Sequence, residues 1–205
     1  MNITLATPVL PNLVTDLLDG FYDRFLNPGP SSITPWIISQ SIHFVLGHRN
    51  ATRELLERGL ASAEPLWAVA AASNLNLPTD LATGILEDVH HRFESVRVQV
   101  VMTVPLSVLA ERDWSTEVSP AVLRMAVDRL ISWHGRPSAV VQSAVGHLFR
   151  IADDVWARAD VALNTTDPAH LLALCQDPDW TVRAEAGNNV ACPEEGRVLA
   201  ALLAK

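Results

Sequence analysis

Val182-Arg183-Ala184-Glu185-Ala186-Gly187-Asn188-Asn189-Val190-Ala191-Cys192-Pro193 has a counterpart 25 residues upstream. There Ala157-Arg158-Ala159-Asp160-Val161-Ala162-Leu163-Asn164-Thr165-Thr166-Asp167-Pro168 repeats the Arg, the small apolar residue, the Asn and the Pro in register. Asn74 with Pro78 continues the pattern, and weaker frames stand at His48 with Thr52, Thr103 with Ser107 and Trp133 with Pro137. The six anchors are 26, 29, 30, 31 and 25 residues apart, a period that signals a repeat architecture.

The spacing has a physical reading. An Asn tolerates the left-handed conformation that closes a helix, and a Pro four residues later suits the start of the next one. In the Trp133 frame Gly135 is expected to take the Asn's part, and His48 occupies the same closing position near the start. Three residues after each proline position an apolar residue returns, as Leu55, Leu81, Val140 and Leu171, which aims the second helix at the core; Gly196 breaks the rule in the last frame. One hairpin cannot cover its own apolar face, so neighbours must stack. The expected fold is all-α: an α-solenoid of about six helical hairpins over residues 31–205, with a right-handed superhelix as the expectation.

Ahead of the array, Leu10, Leu13, Val14, Leu17, Leu18, Phe21 and Phe25 form one stripe of an amphipathic helix, and Asn27-Pro28-Gly29-Pro30 ends it. Residues 1–30 therefore read as an N-terminal capping helix and breaker. Thr34-Pro35, Ser119-Pro120 and Asp167-Pro168 each place a capping side chain before a proline at the first helical position. Val96-Arg97-Val98-Gln99-Val100 reads locally like a strand.

The Val-Arg-x-x-small-x-x-Asn-x-x-x-Pro pattern, preceded by Asp177-Pro178-Asp179, resembles the variant leucine-rich repeat, a relative of HEAT-type helical repeats. The resemblance is sharpest over 155–205 and weakest over 95–150. It implies that the first-helix pairs Glu94/Arg97, Asp154/Arg158 and Asp179/Arg183 link successive repeats, which makes Arg97, Arg158, Arg183, Asp154 and Asp179 structural. One type of family member carries an N-terminal iron–sulfur cluster; here no cysteine precedes Cys175, so that cofactor is not carried over.

Composition narrows the function. The chain has 205 residues, 49% of them hydrophobic, enough to fold around its own core. Fifteen basic against 23 acidic residues give a net charge of −8, which argues against a nucleic-acid clamp and favours a basic protein partner. No stretch is apolar for long enough to span a bilayer and the first residues lack a signal-peptide pattern, so a cytoplasmic, membrane-free location is expected. Two cysteines make no disulfide framework or metal-ligand spacing and are expected to pack as small apolar residues.

Candidate chemistry is sparse. Glu87-x-x-His90, with His91 one helical turn from Glu87, has the spacing of a carboxylate-bridged metal motif, but no second Glu-x-x-His exists to complete it. No nucleophile elbow, Ser-x-x-Lys or phosphate-cradling glycine loop is present, so neither a cofactor nor a catalytic role is expected. Of six tryptophans, Trp67 and Trp156 fall among apolar helical positions and are expected in the core, whereas Trp114 and Trp180 sit in matching Asp-Trp-Ser/Thr junctions. The leading expectation is a non-enzymatic scaffold whose second helices present Glu54, Arg58, Asp80, Glu87, His91, Glu111, His147 and His170 to a partner. The alternatives are a DNA glycosylase-type enzyme on a HEAT-like fold, or a metal-binding repeat protein. A homodimer through the C-terminal run Val198-Leu199-Ala200-Ala201-Leu202-Leu203 is a further possibility, since no polar capping helix follows that run.

Overall fold

The computed structural model describes residues 35–203, so the amphipathic segment and Pro/Gly breaker of 1–30 lie outside the described residues, as does Thr34. Among the described residues the chain is all-helical: twelve α-helices, one 3-10 turn and no strand. In order they are α1 (Pro35–Leu46), α2 (Arg53–Ala61), α3 (Pro65–Ala72), α4 (Thr79–Glu87), α5 (Glu94–Thr103), α6 (Leu106–Glu111), the 3-10 turn Trp114–Thr116, α7 (Pro120–His134), α8 (Ala139–Ile151), α9 (Val155–Asn164), α10 (Pro168–Leu174), α11 (Trp180–Asn188) and α12 (Glu194–Leu202). Val96–Val100, which reads as a strand in isolation, lies inside α5, because Val96, Val100 and Val101 are spaced to bury one face of a helix.

The signals that start these helices are local. Asp154, Asp167, Asp179 and Ser119 each accept a hydrogen bond from a backbone N–H in the first turn, and Pro120 and Pro168 open α7 and α10. Each of the six sequence anchors sits at or beside the C-terminal end of a helix. The way those helices close differs from expectation: among the described residues no non-glycine residue has a positive φ, so no Asn uses the left-handed conformation. Gly135 alone has a positive φ, 74° with ψ 159°, outside the left-handed helical region, and closes α7 by donating from its N–H to the Ile131 carbonyl at 2.9 Å.

The described helices form two compact units, one of 35–88 with 95–104 and one of 89–94 with 105–203. In the first, Ile42, Leu46, Leu55, Leu56, Trp67, Ala70 and Ala71 make the core. Helix α3 is buried nearly all round, which its Leu-Trp-Ala-Val-Ala-Ala-Ala composition permits. Gly59 lets α2 approach it: a Cβ there would lie 2.7 Å from Leu46 Cδ2 and 2.9 Å from Ala71 Cβ. In the second unit α7 packs on α8 and α9, α9 on α11, and α11 on α12, with Val122, Leu123, Leu130, Val141, Leu148, Val161, Leu171 and Val182 inside. No helix among the described residues is long and apolar enough to cross a membrane.

Candidate binding surface

Two of the recurring asparagines make bonds between helices. Asn74, buried at 1% exposure, donates from Nδ2 to the carbonyls of Leu46 and His48, beyond the end of α1, at 2.8 and 2.9 Å. Its Oδ1 accepts from Asn76 N–H at 2.8 Å. Asn189 does the same in the second unit: Nδ2 donates to the carbonyls of Ala162, Leu163 and Thr165, and Oδ1 accepts from Ala191 N–H. The carbonyls of a helix C-terminus lack intrahelical donors, and these amides supply them from a later part of the chain. Thr103 Oγ1 donates to Ala72 O at 3.0 Å in the same manner, and His48 Nδ1 accepts from Asn50 N–H as the Asn Oδ1 does elsewhere.

The arginines and aspartates that the resemblance marks as structural make the bonds that follow. Arg97 is 1% exposed and donates from Nη2 to Leu86 O. Asp154 and Asp179 spend their carboxylates on their own helix starts, accepting from Ala157 and Thr181 N–H, and the backbone bond from Thr181 holds the Asp179 carboxyl below its ordinary range. The link between successive first helices is Asp177 instead. Its carboxylate takes Arg158 Nε at 2.7 Å and Asp179 N–H at 2.8 Å, and its carbonyl takes Arg183 Nη1 at 2.8 Å. Arg183 reaches on to Leu203 O at 2.8 Å.

The proposed surface residues divide between the units. In the first, Glu54 and Arg58 on α2 and Glu87 at the end of α4 are exposed. Asp80 is exposed but already held, because both its oxygens accept from Arg53, at 3.1 and 2.6 Å, and this pairing keeps its carboxyl below the ordinary range. In the second unit Glu111 is exposed, while His91 is half-buried with Nδ1 3.2 Å from Phe93 N–H. His170 is half-buried and stacked on Phe149 with ring centroids 4.1 Å apart.

His147 does not belong to that surface. It is 8% exposed, its Nε2 lies 2.6 Å from the Glu117 carbonyl and its Nδ1 lies 3.0 Å from Arg150 Nη2. A carbonyl accepts and a guanidinium donates, so Nε2 carries the proton and Nδ1 is the acceptor. Glu117, 1% exposed, receives Val118 and Ser119 N–H on Oε1 and faces Arg112. Arg112 also lies over the buried Trp114 ring, 5.0 Å from its centroid. This buried polar knot turns the chain from α6 into α7, and its spacing matches none of the repeat frames, which is why sequence reading passes over Glu117.

Two further expectations change. Trp156 is 67% exposed rather than in the core, because it is the second residue of α9 and faces outward there while Ala157, Ala159 and Val161 face in. Trp180, at the first position of α11, is 68% exposed beside a shallow cleft lined by Arg183, Ala184 and Ala200, although the matching Trp114 is buried. The Glu87–Glu94 cluster has no common helix face, since α4 ends at Glu87 and α5 begins at Glu94. Among the described residues no three His, Cys, Asp or Glu side chains are grouped so as to hold a metal ion. Set against family models, curated proteins and solved structures, the chain matches none.

Proposed function

We propose that the chain is a non-enzymatic binding module, an α-solenoid of HEAT-like hairpins that receives a basic protein partner. The observation that carries this reading is where the cations go. Arg53 is taken up by Glu57 and Asp80, Arg124 by Asp160 and Arg158 by Asp177, while Arg97 is buried and Arg183 is bonded to backbone carbonyls. Arg49, Arg58, Arg92, Arg136, Arg150 and Arg197 stay exposed, but with a net charge of −8 the acids outnumber the bases, and Glu54, Glu87 and Glu111 are among the exposed acids. Such a field steers a cationic partner into contact and discriminates against anionic ones.

The test is affinity capture from native lysate at low and high salt, followed by titration of the recovered partner against a Glu54→Lys/Glu87→Lys/Glu111→Lys variant. A basic protein bound stoichiometrically at low salt should lose about tenfold or more in affinity on reversal, in line with the loss of several steering charges. Unchanged affinity would remove this surface from the proposal. Recovery of nucleic acid in place of protein would favour the enzyme alternative, for which exposed Trp156 and Trp180 offer stacking faces. A second copy meeting this one through exposed Val198, Leu202 and Leu203 is part of the same proposal. Sedimentation of wild type against Leu202→Glu tests it, and a monomer at all concentrations would exclude it.

A further inference from the structure

The two cysteines of the chain, Cys175 and Cys192, come together although 17 residues separate them. Cys175 caps the end of α10, Cys192 ends the turn that leads into α12, and their Sγ atoms are 3.6 Å apart. Gly196, the residue that breaks the apolar rule at its place in the last repeat, stands against both. A Cβ there would lie 2.9 Å from Cys192 Sγ and 3.1 Å from Cys175 Sγ, closer than carbon and sulfur rest. The glycine thus clears the space that the two sulfurs share. Cys175 is fully buried and Cys192 is 5% exposed, so Cys192 is the less buried of the two residues.

We propose that Cys175 and Cys192 are an oxidisable pair, closing to an intramolecular disulfide that fastens the end of α10 to the start of α12. Closing the bond brings the two sulfurs from 3.6 Å to the S–S length of about 2.05 Å. The co-reactant is a small-molecule disulfide. Cys192 thiolate attacks one of its sulfurs, giving a mixed disulfide and one released thiol. Cys175 then loses its proton and attacks the Cys192 sulfur, displacing the second thiol. Two protein thiols and one external disulfide become one protein disulfide and two external thiols, so hydrogen and electrons balance.

Burial, and after it the neighbouring Cys192 sulfur, push the Cys175 thiol well above its ordinary range. Its turn as attacker therefore comes second.

The experiment equilibrates the full chain with glutathione disulfide under native conditions, quenches in acid, alkylates, and reads intact mass and peptide map. The expected result is simultaneous loss of both thiols in a monomer, a cross-linked peptide joining Cys175 to Cys192, and amide exchange in α11 and α12 slowed by about tenfold or more. Cys175→Ala should trap the external thiol on Cys192, whereas Cys192→Ala should acquire none. Thiols that stay free in the folded protein, a glutathione adduct that persists in wild type, a disulfide between two chains, or an adduct forming as fast on Cys192→Ala as on Cys175→Ala would each overturn the proposal. The wild-type readout stands even where a variant fails to fold.

Discussion

Asn74 in the first unit and Asn189 in the second do identical work, while Asn164, which matches both in sequence, does not. The first two send Nδ2 back to carbonyls at the C-terminal end of a preceding helix and fold their Oδ1 onto the N–H two residues ahead. Asn164 Nδ2 stays within α9 and bonds Asp160 O at 2.9 Å. At that junction the preceding hairpin reaches forward instead: Gln142 donates to Arg136 O and Asn164 O, and accepts from Thr166 N–H. The frame before Asn164 closes at Gly135, whose positive φ ends α7 differently from the helices that precede Asn74 and Asn189. The same residue type at a recurring sequence position therefore makes different bonds, according to how the preceding helix ends.

The largest effect expected from testing that comparison is at Asn74. Asn74→Ala strips two buried carbonyls of their donor and should cost about 2–3 kcal/mol of stability, read by urea denaturation. A loss below about 0.5 kcal/mol would mean water replaces the amide and the bond between hairpins is incidental. Gly59→Ala should come next at about 1–3 kcal/mol, because Leu46 and Ala71 side chains must both give way. Asn189→Ala should cost less than Asn74→Ala, about 1–2 kcal/mol, since Asn189 is only half-buried and solvent can reach part of its network. Asn164→Ala should cost under about 1 kcal/mol, its bond being one within its own helix. An equal loss at Asn164 and Asn189 would erase the distinction drawn between them.

The smallest effect is in acid. Asp80 is held low by Arg53, and Asp113 and Asp179 by the N–H groups of Ser115 and Thr181. A carboxyl lowered on folding stabilises fully above its unfolded value of about 3.9, and that stability is lost as pH falls through the folded value. Denaturation midpoints should be level from neutrality to about pH 5 and decline below about pH 4. Asp179→Asn keeps the cap without the charge and should make that decline shallower. An unchanged slope in this variant would show that its carboxylate takes no part.

Much of the fold is legible in local signals. Caps at Ser119, Asp154, Asp167 and Asp179, prolines at 120 and 168 and the glycine at 135 all act within one turn of where they stand, so the helix boundaries follow from them. The surface is less legible. His147 and Trp156 exchange the places expected of them, the histidine buried and the tryptophan exposed. Helical periodicity says that residues share a face, but a neighbouring element decides whether that face is covered. The Glu117 knot covers His147, whereas Trp156 at the start of α9 stays exposed among the described residues.

The sequence by itself determined an all-helical chain, the places where its helices begin and end, and the residue types that recur there, because capping, proline geometry and glycine freedom are properties of a few consecutive residues. Only the tertiary structure decided that Asn74 and Asn189 bind the hairpin before them, that Asp177 and not Asp154 or Asp179 meets Arg158, and that Gly196 yields its space to two sulfurs. Each of those outcomes rests on atoms brought within about 3–4 Å from distant parts of the chain, and packing sets such distances where local sequence does not.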